Sequence, residues 1–355
     1  MTAPRQFLKG NEALAYGALH AGLQSFYGYP ITPSSEVPET LATQVGRPEY
    51  PEFRTFLQAA SEVEAINLML GAAATGEKTM TATSGPGFSL MQEGISYAHG
   101  AELPMLIANV NRAGPGLGNL GPEQTDYFAA VKGGGHGGYR NVVLAPDSVP
   151  EMASFPSLGF SLAFRYRTPV ILLTDAFLGQ LKEDLEFPTI ESPTFDTPWA
   201  ATGARGTTRH VLSSMHIELP EQNLVSRHLR DKFAEITRRE QRSEELETRG
   251  ARVVFVAYGI CARLAQRAVR VLRDRSVPVG LFRPITLAPF PRDRLRALVD
   301  EGVRSFVVVE LNTGQMVEDV RLAVDGAAPV RSMNQFGGLL PSYRDLVDEI
   351  GALAA

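Results

Sequence analysis

The feature that most restricts the fold of this chain is a regular alternation of short apolar runs with helical patterns. From about Gly10 to Pro188, the runs Ser25–Tyr29, Thr79–Thr83, Met105–Val110, Asn141–Ala145 and Val170–Thr174 read as strands. Most of them are apolar enough to be buried on both faces. Asn11–Ala21, Ser35–Val45, Ala59–Gly71, Phe88–His99 and Val149–Arg165 carry helical periodicity between them. Strands that alternate with helices pair in parallel through crossovers. After Ala251 the pattern returns. ARVVFVAYG, VPVGLF, SFVVVEL and PVRSMN read as strands, and ARLAQRAVRVLRD, PRDRLRALVDEG and TGQMVEDVRLAVDG as helices. The predicted fold class is α/β, with two doubly wound parallel-sheet domains.

Phe187 to Gly250 differs in kind. It opens with Pro188, Pro193 and Pro198, passes through TGARGTTRH, and continues as DKFAEITRREQRSEELETRG, in which both charge signs alternate. This reads as a linker and a solvated helix over a domain boundary. The expected division is a first domain over 1–190, the linker and helix over 191–250, and a second domain over 251–355.

Composition narrows the functional classes. The 355 residues carry a net charge of −5, so there is no basic surplus for a phosphodiester backbone and no nucleic-acid partner is expected. No apolar run approaches the roughly 20 residues that span a bilayer. The start, MTAPRQFLKGNEALAYG, has no apolar signal-peptide core, so the expectation is a cytoplasmic protein without membrane insertion. The single Cys261 excludes an internal disulfide, a multi-cysteine zinc site and a four-thiolate iron–sulfur cluster within this chain. Six histidines show no metal-ligand spacing, and no metal site is expected. Any redox electrons must leave through another chain. Cys261 itself, in VAYGICAR, reads as a small packing residue.

Ligands of parallel α/β sheets sit at the carboxyl ends of the strands. Here those ends are GYPITPSSE, TATSGPGFSLM and NVNRAGPGLGNLGPEQTD, with KGGGHGGYR close behind. Four glycine- and proline-rich loops with polar side chains read as one ligand site. There is no GxxxxGK[ST], no GxGxxG on a strand–helix turn, no GxSxG elbow and no GDG-type diphosphate loop. The first block therefore looks like half of a cofactor site. In SEVEAINLMLGAAATG, Val63, Ile66 and Leu70, with Asn67, are expected to share one face. Glu62 and Glu64 stand about 200° apart on a helix, so only one can point at a site, and Glu62 is the better aligned with the inward face. Arg112 follows a very apolar strand, where its planar fork suits a carboxylate or phosphate. His136, among five glycines, is a ligand contact or a structural histidine. Gln124 and Asp126 carry no signal of their own.

Several motifs together resemble a known family. GNEALAYGALHAG…YPITPSSE, SEVEAINLMLGAAATG…TATSGPGFSLM and RAGPGLG…GGGHGGY…LAP resemble the α subunit of 2-oxoacid:ferredoxin oxidoreductases. The match continues through PVILLTDAFLGQ, VAYGICAR, RPITLAPFP and ELNTGQMVEDVRLAV, in order and over nearly the whole chain. GPGLG followed by GGGHG is most similar to the 2-oxoisovalerate, or branched-chain, type. Gly138 departs from it, standing where relatives of that type often carry an acidic residue.

The resemblance implies a thiamine-diphosphate enzyme split between chains. This chain supplies the pyrimidine-binding domain, then a transketolase-C-terminal-like domain. A β subunit supplies the diphosphate and Mg2+ site and a [4Fe–4S] cluster, γ and δ subunits complete the assembly in some members, and ferredoxin or another acceptor takes the electrons. Coenzyme A is the co-substrate. By the same resemblance, Glu62 contacts N1′ of the aminopyrimidine and shares a proton with it, while Thr32 and Arg112 hold the substrate carboxylate. Tyr29, Pro30, Ile31, Ser84, Gly85 and Pro86 are the cofactor-binding candidates beside Glu62. Gly114, Gly116, Gln124, Asp126 and His136 are the substrate-loop candidates. Two rival readings are a thiamine-dependent non-redox decarboxylase or transketolase-like enzyme, and a catalytically silent scaffold subunit of the same complex.

Overall fold

The structure is a computed structural model that describes residues 5–187, 194–203, 206 and 208–354. Of the expected linker, Pro188, Pro193, Ala204, Arg205 and Thr207 lie outside the described residues. Through Phe187 the strands are β1 (Gln6–Lys9), β2 (Ser25–Gly28), β3 (Thr55–Gln58), β4 (Thr79–Thr83), β5 (Met105–Asn111), β6 (Val142–Leu144), β7 (Pro169–Asp175) and β8 (Lys182–Leu185). The helices among them are α1 (Gly10–His20), α2 (Glu36–Ala42), α3 (Glu62–Ala74), α4 (Gly85–Leu90), α5 (Gln92–Gly100), α6 (Val149–Tyr166) and α7 (Ala176–Gln180). Then come α8 (Leu219–Arg239), β9 (Ser243–Leu246), β10 (Val253–Ala257), α9 (Gly259–Asp274), β11 (Val279–Pro284) and β12 (Thr286–Ala288). The chain closes with α10 (Arg292–Asp300), β13 (Ser305–Glu310), α11 (Met316–Val324), β14 (Val330–Asn334) and α12 (Tyr343–Ala354).

These strands form a seven-stranded sheet in the order β12-β6-β7-β5-β4-β2-β3, a five-stranded sheet in the order β14-β13-β10-β11-β9, and a β1-β8 ribbon. Every residue of β4, β5 and β7 is buried, as strands that lie inside a sheet and under helices must be. The α/β class with predominantly parallel sheets stands, and each large sheet adds an antiparallel edge. β12 pairs antiparallel with β6, and β9 antiparallel with β11.

Two expectations are corrected. DKFAEITRREQRSEELETRG is not one helix, because α8 ends at Arg239 and Ser243–Leu246 is a strand. That strand is held by charge: Glu244 meets the buried Arg283 of β11 at 2.7 Å, and Asp147 and Glu151 meet the same guanidinium at 3.1 and 2.6 Å. In RPITLAPFP, Arg283 and Pro284 end β11 in the second sheet, whereas Thr286 and Ala288 register with Leu144 and Val143 of the first. Phe88–His99 divides into α4 and α5 about Met91.

Asp175 joins the two sheets at the end of β7. One oxygen caps α7 by accepting the Leu178 N–H at 3.0 Å, and the other accepts the Ile260 N–H of α9 at 3.1 Å. Burial lifts this carboxyl to about 6, against backbone N–H groups that favour its charged form. An unfolded aspartate titrates near ~4, so between about pH 4 and pH 6 the folded chain binds more protons than the unfolded one. The contribution of this group to stability is therefore lost as pH rises through that window. Equilibrium unfolding from pH 4 to 7 is expected to show a component of about 2–3 kcal/mol that falls with pH in the wild type and is missing in Asp175→Asn. Equal pH slopes in the two proteins would refute it.

Candidate active site

The site grows from the carboxyl ends of β2, β4 and β5. After β2 the chain turns through Tyr29, Pro30, Ile31 and Thr32, and the Ser34 N–H and hydroxyl both donate to the Ile31 carbonyl, at 3.0 and 2.8 Å. Asn11, buried at the start of α1, supports this turn by donating to the Pro33 carbonyl (2.7 Å) and to Glu36 (2.8 Å). Across it, Arg112 Nη1 donates to the Thr32 carbonyl at 2.8 Å. Two residues 80 apart in sequence thus meet at one mouth, and the Arg112 Nε is buried without a partner among the described residues.

Glu62 is the first residue of α3 and is only 4% exposed. The inward face of this helix is Glu62, Ala65, Ile66, Met69 and Ala73; Val63 and Asn67 lie on the outer surface. The expected face is therefore corrected at Val63 and Asn67, while Ile66 and Glu62 point inward and Leu70, partly buried, packs against the core. Glu64 faces out and serves the helix start. Its carboxylate accepts the Ala60 N–H at 2.6 Å, while its own N–H donates to the Ser61 hydroxyl at 3.2 Å.

Opposite Glu62, β4 ends in Thr83 and passes through Ser84, Gly85 and Pro86 into the short helix α4. Thr83 Oγ1 and Ser84 Oγ are buried without a hydrogen-bond partner among the described residues. Gly87 lies directly against the carboxyl. A Cβ there would stand 2.4 Å from Glu62 Oε1 and 2.3 Å from Thr83 Oγ1. A buried carboxyl, two orphaned hydroxyls and a backbone cradle without side chain make a polar slot, which fits a flat, nitrogen-rich ring such as an aminopyrimidine.

Asp126 closes the slot from the side of β5. Its carboxylate accepts from Asn109 (2.9 Å) and from the Gly85 N–H, and its own N–H donates to Asn111 Oδ1 (3.1 Å). Burial raises the pKa of this carboxyl, opposed by those hydrogen bonds and by the charge of Arg112. Gly114 and Gly116 belong to a loop at whose base Ala113 N–H donates to the Gly121 carbonyl at 3.1 Å. Gln124 is buried and spends both ends of its amide on backbone, donating to the Tyr258 carbonyl (3.0 Å) and accepting the Leu311 N–H (3.1 Å). His136 lies apart from Glu62, Thr32 and Arg112. It lines a separate cleft of about 1080 Å³ between α5, α8 and the turn before α10.

Sequence reasoning passed over Gly87, Asn11 and Asn109. The signal for Gly87 was its place inside a helix, where glycine costs about 1 kcal/mol relative to alanine and so asks for a packing reason. Asn11 and Asn109 left no such mark. Cys261 is buried in the second core at the start of α9, and burial pushes its thiol far above the ordinary range. Among the described residues no group of three or more His, Cys, Asp or Glu is placed to hold a metal ion, and no helix is long and apolar enough to cross a membrane.

A split-gene transketolase, solved as an inactive tetramer, shares the fold, superposing with a TM-score of 0.58 at 13% identity over 98% of both chains. Residues 16–247 match the thiamine diphosphate-binding family of pyruvate flavodoxin/ferredoxin oxidoreductases, and residues 251–346 match core domain II of pyruvate:ferredoxin oxidoreductase. The chain belongs to the 2-oxoacid:ferredoxin oxidoreductase family, as its motifs led us to expect. It is 49% identical to ketoisovalerate oxidoreductase subunit VorB of Methanothermobacter thermautotrophicus over 98% of each chain. It is 38% identical to 2-oxoglutarate synthase subunit KorA of Archaeoglobus fulgidus, over 94% of this chain and 95% of that one. The 2-oxoglutarate:ferredoxin oxidoreductase of Magnetococcus marinus, solved with 2-oxoglutarate, coenzyme A and succinyl-CoA, superposes with a TM-score of 0.88 at 27% identity. This chain is covered to 98% in that comparison and spans 65% of the neighbour's length.

Proposed function

We propose that this chain is the α subunit of a 2-oxoacid:ferredoxin oxidoreductase that converts a branched-chain, 2-oxoisovalerate-like acid and coenzyme A to acyl-CoA and carbon dioxide. The observation that carries the reading is the Glu62 carboxyl, buried at the start of α3 and pressed against Gly87 and Thr83. The identity to a ketoisovalerate oxidoreductase subunit supports the substrate class. The proposed division places the pyrimidine side of the site in 1–190, the connector in 191–250 and the transketolase-C-terminal-like part in 251–355. Thiamine diphosphate, when bound, supplies the electron sink that lets the oxoacid carboxylate leave as carbon dioxide. Glu62 holds a proton at the pyrimidine ring nitrogen, with the Thr83 and Ser84 hydroxyls and the backbone of Gly85 to Gly87 around it. Thr32 and Arg112 receive and orient the substrate carboxylate.

The diphosphate, its Mg2+ and the [4Fe–4S] clusters belong in this proposal to a β subunit, with γ and δ chains and a ferredoxin-type acceptor beyond it, all in the cytoplasm. Cys261 is the one cysteine here, and it is buried in packing. The test is to purify the chain with its β partner and measure acyl-CoA formation, acceptor reduction and iron. Aldehyde release from an iron-free complex would establish the non-redox rival instead, and a complex that turns over unchanged when Glu62 is removed would establish the scaffold reading.

Arg112 offers a narrower test. Charge-assisted hydrogen bonds contribute about 1.5–3 kcal/mol, so Arg112→Ala is expected to raise KM for the oxoacid roughly 10- to 100-fold while KM for coenzyme A stays put. Steady-state kinetics with each substrate varied in turn checks it; an unchanged oxoacid KM removes Arg112 from the carboxylate site.

A further inference from the structure

The loop that follows Arg112 is fastened to the second α/β unit by one buried carboxylate. Glu123 is 2% exposed, and its two oxygens point to different segments. Oε2 accepts the Gly114 N–H at 3.3 Å, at the start of the loop, and Oε1 accepts the Gly337 N–H beyond β14. Asn119, within the loop, repeats the arrangement. Its Nδ2 donates to the Gly337 carbonyl at 3.2 Å, and its Oδ1 accepts the Gly121 N–H at 2.7 Å. The two backbones then touch: a Cβ on Gly121 would lie 2.6 Å from Gly338 Cα. Gly337 and Gly338 both hold positive φ, at 75° and 81°, a conformation that glycine adopts freely. Next in sequence, Gln124 and the Asn312 side chain bind the same chain to β13's end, with Asn312 Nδ2 donating to the Gln124 carbonyl at 3.0 Å.

A carboxylate is the group that this geometry requires. Two N–H donors from segments more than 200 residues apart converge on Glu123, and an ionised side chain offers an acceptor to each. An amide has one oxygen, so it would turn its NH2 toward one of the two donors and leave that donor unpaired. From this we infer that Glu123 is a positioning residue for the oxoacid. It fixes the 113–121 loop, and through it Arg112, against the 335–340 segment, so that the carboxylate-binding mouth keeps its shape only while the two α/β units are docked. This rests on the role proposed above for Arg112.

The test uses Glu123→Gln, which keeps size and one acceptor, in two measurements. In the assembled complex, KM for the oxoacid is expected to rise about 5- to 20-fold with kcat within twofold and KM for coenzyme A unchanged, the pattern of lost ground-state positioning. In the isolated full chain, hydrogen exchange is expected to quicken in both the 113–121 and 335–340 peptides, with the β5 and β13 peptides unaltered. Asn119→Ala is expected to loosen the same two peptides. Unchanged exchange at 335–340 in Glu123→Gln overturns the inference, and so does a parallel loss for both substrates. A wild-type complex that turns over no 2-oxoacid defeats the proposed function instead, and the exchange measurement still decides whether Glu123 couples the two segments.

Discussion

Replacing Glu62 by glutamine is expected to reduce oxidative decarboxylation by about 10²- to 10⁴-fold, the range that a positioned proton-transfer group contributes. The substitution keeps the shape of a side chain that is 4% exposed, so the α3 start and its packing against Thr83 and Gly87 have no steric reason to move. What is lost is the ability to hand over and take back a proton at a ring nitrogen, because an amide does neither near neutral pH. The expected pattern is a collapse of kcat in carbon dioxide release from labelled oxoacid, with an unfolding free energy within about 1 kcal/mol of wild type. Glu64 is the internal control. Its carboxylate only accepts the Ala60 N–H, a task that a glutamine oxygen performs as well, so Glu64→Gln is expected to stay within about twofold of wild-type rate. If Glu64→Gln were the damaging change and Glu62→Gln the mild one, α3 would be rotated from the orientation described here.

That rotation shows how far the sequence could be read. Counting apolar residues in SEVEAINLML put Val63, Ile66, Leu70 and Asn67 on one face, with Glu62 aligned to it through Ile66, because the count gives a surface valine no reason to face outward. In the structure Glu62 occupies an inner position and Val63 an outer one, so the residue that breaks the hydrophobic pattern is the one proposed for the chemistry. β5 and β7 were legible almost to the residue because a strand buried on both faces is largely apolar, and β4 because its β-branched threonines alternate with Met80 and Ala82. β9 was not. SEEL has no apolar alternation, and its pairing is set by Arg283, 39 residues further on, whose charge needs Glu244. Gln124 and Glu123 looked like ordinary loop residues, since their partners at Leu311 and Gly337 lie 187 and 214 positions away. His136 was grouped with the other loops by its glycines, and nothing local in KGGGHGGYR says which cleft it enters.

Gly87→Ala is expected to cost about 10²-fold in kcat/KM for the oxoacid while leaving the fold intact, an effect opposite in sign to what helix propensity alone predicts. Alanine in place of glycine inside a helix ordinarily stabilises by about 1 kcal/mol. Here the added methyl would stand 2.3 Å from Thr83 Oγ1, 2.4 Å from Glu62 Oε1 and 2.9 Å from Glu62 Cδ. Thr83 is fully buried at the end of β4, so its hydroxyl yields by turning about the Cα–Cβ bond while the Glu62 carboxyl is pushed aside. Restoring ordinary van der Waals contact moves it by about 1 Å, and a displacement of that size at a reacting centre costs on the order of 10²-fold. Gly71→Ala provides the comparison on the helix that carries Glu62 itself, because among the described residues nothing lies within 4 Å of a Cβ at Gly71. The Gly71 variant is expected to unfold at a slightly higher temperature and to keep wild-type kinetics. Thermal unfolding and steady-state rates of the two variants, measured side by side in the assembled complex, separate the alternatives: a Gly87→Ala enzyme as active as Gly71→Ala would mean that the position of the Glu62 carboxyl does not set the rate, and the cradle at Gly87 would then be packing alone.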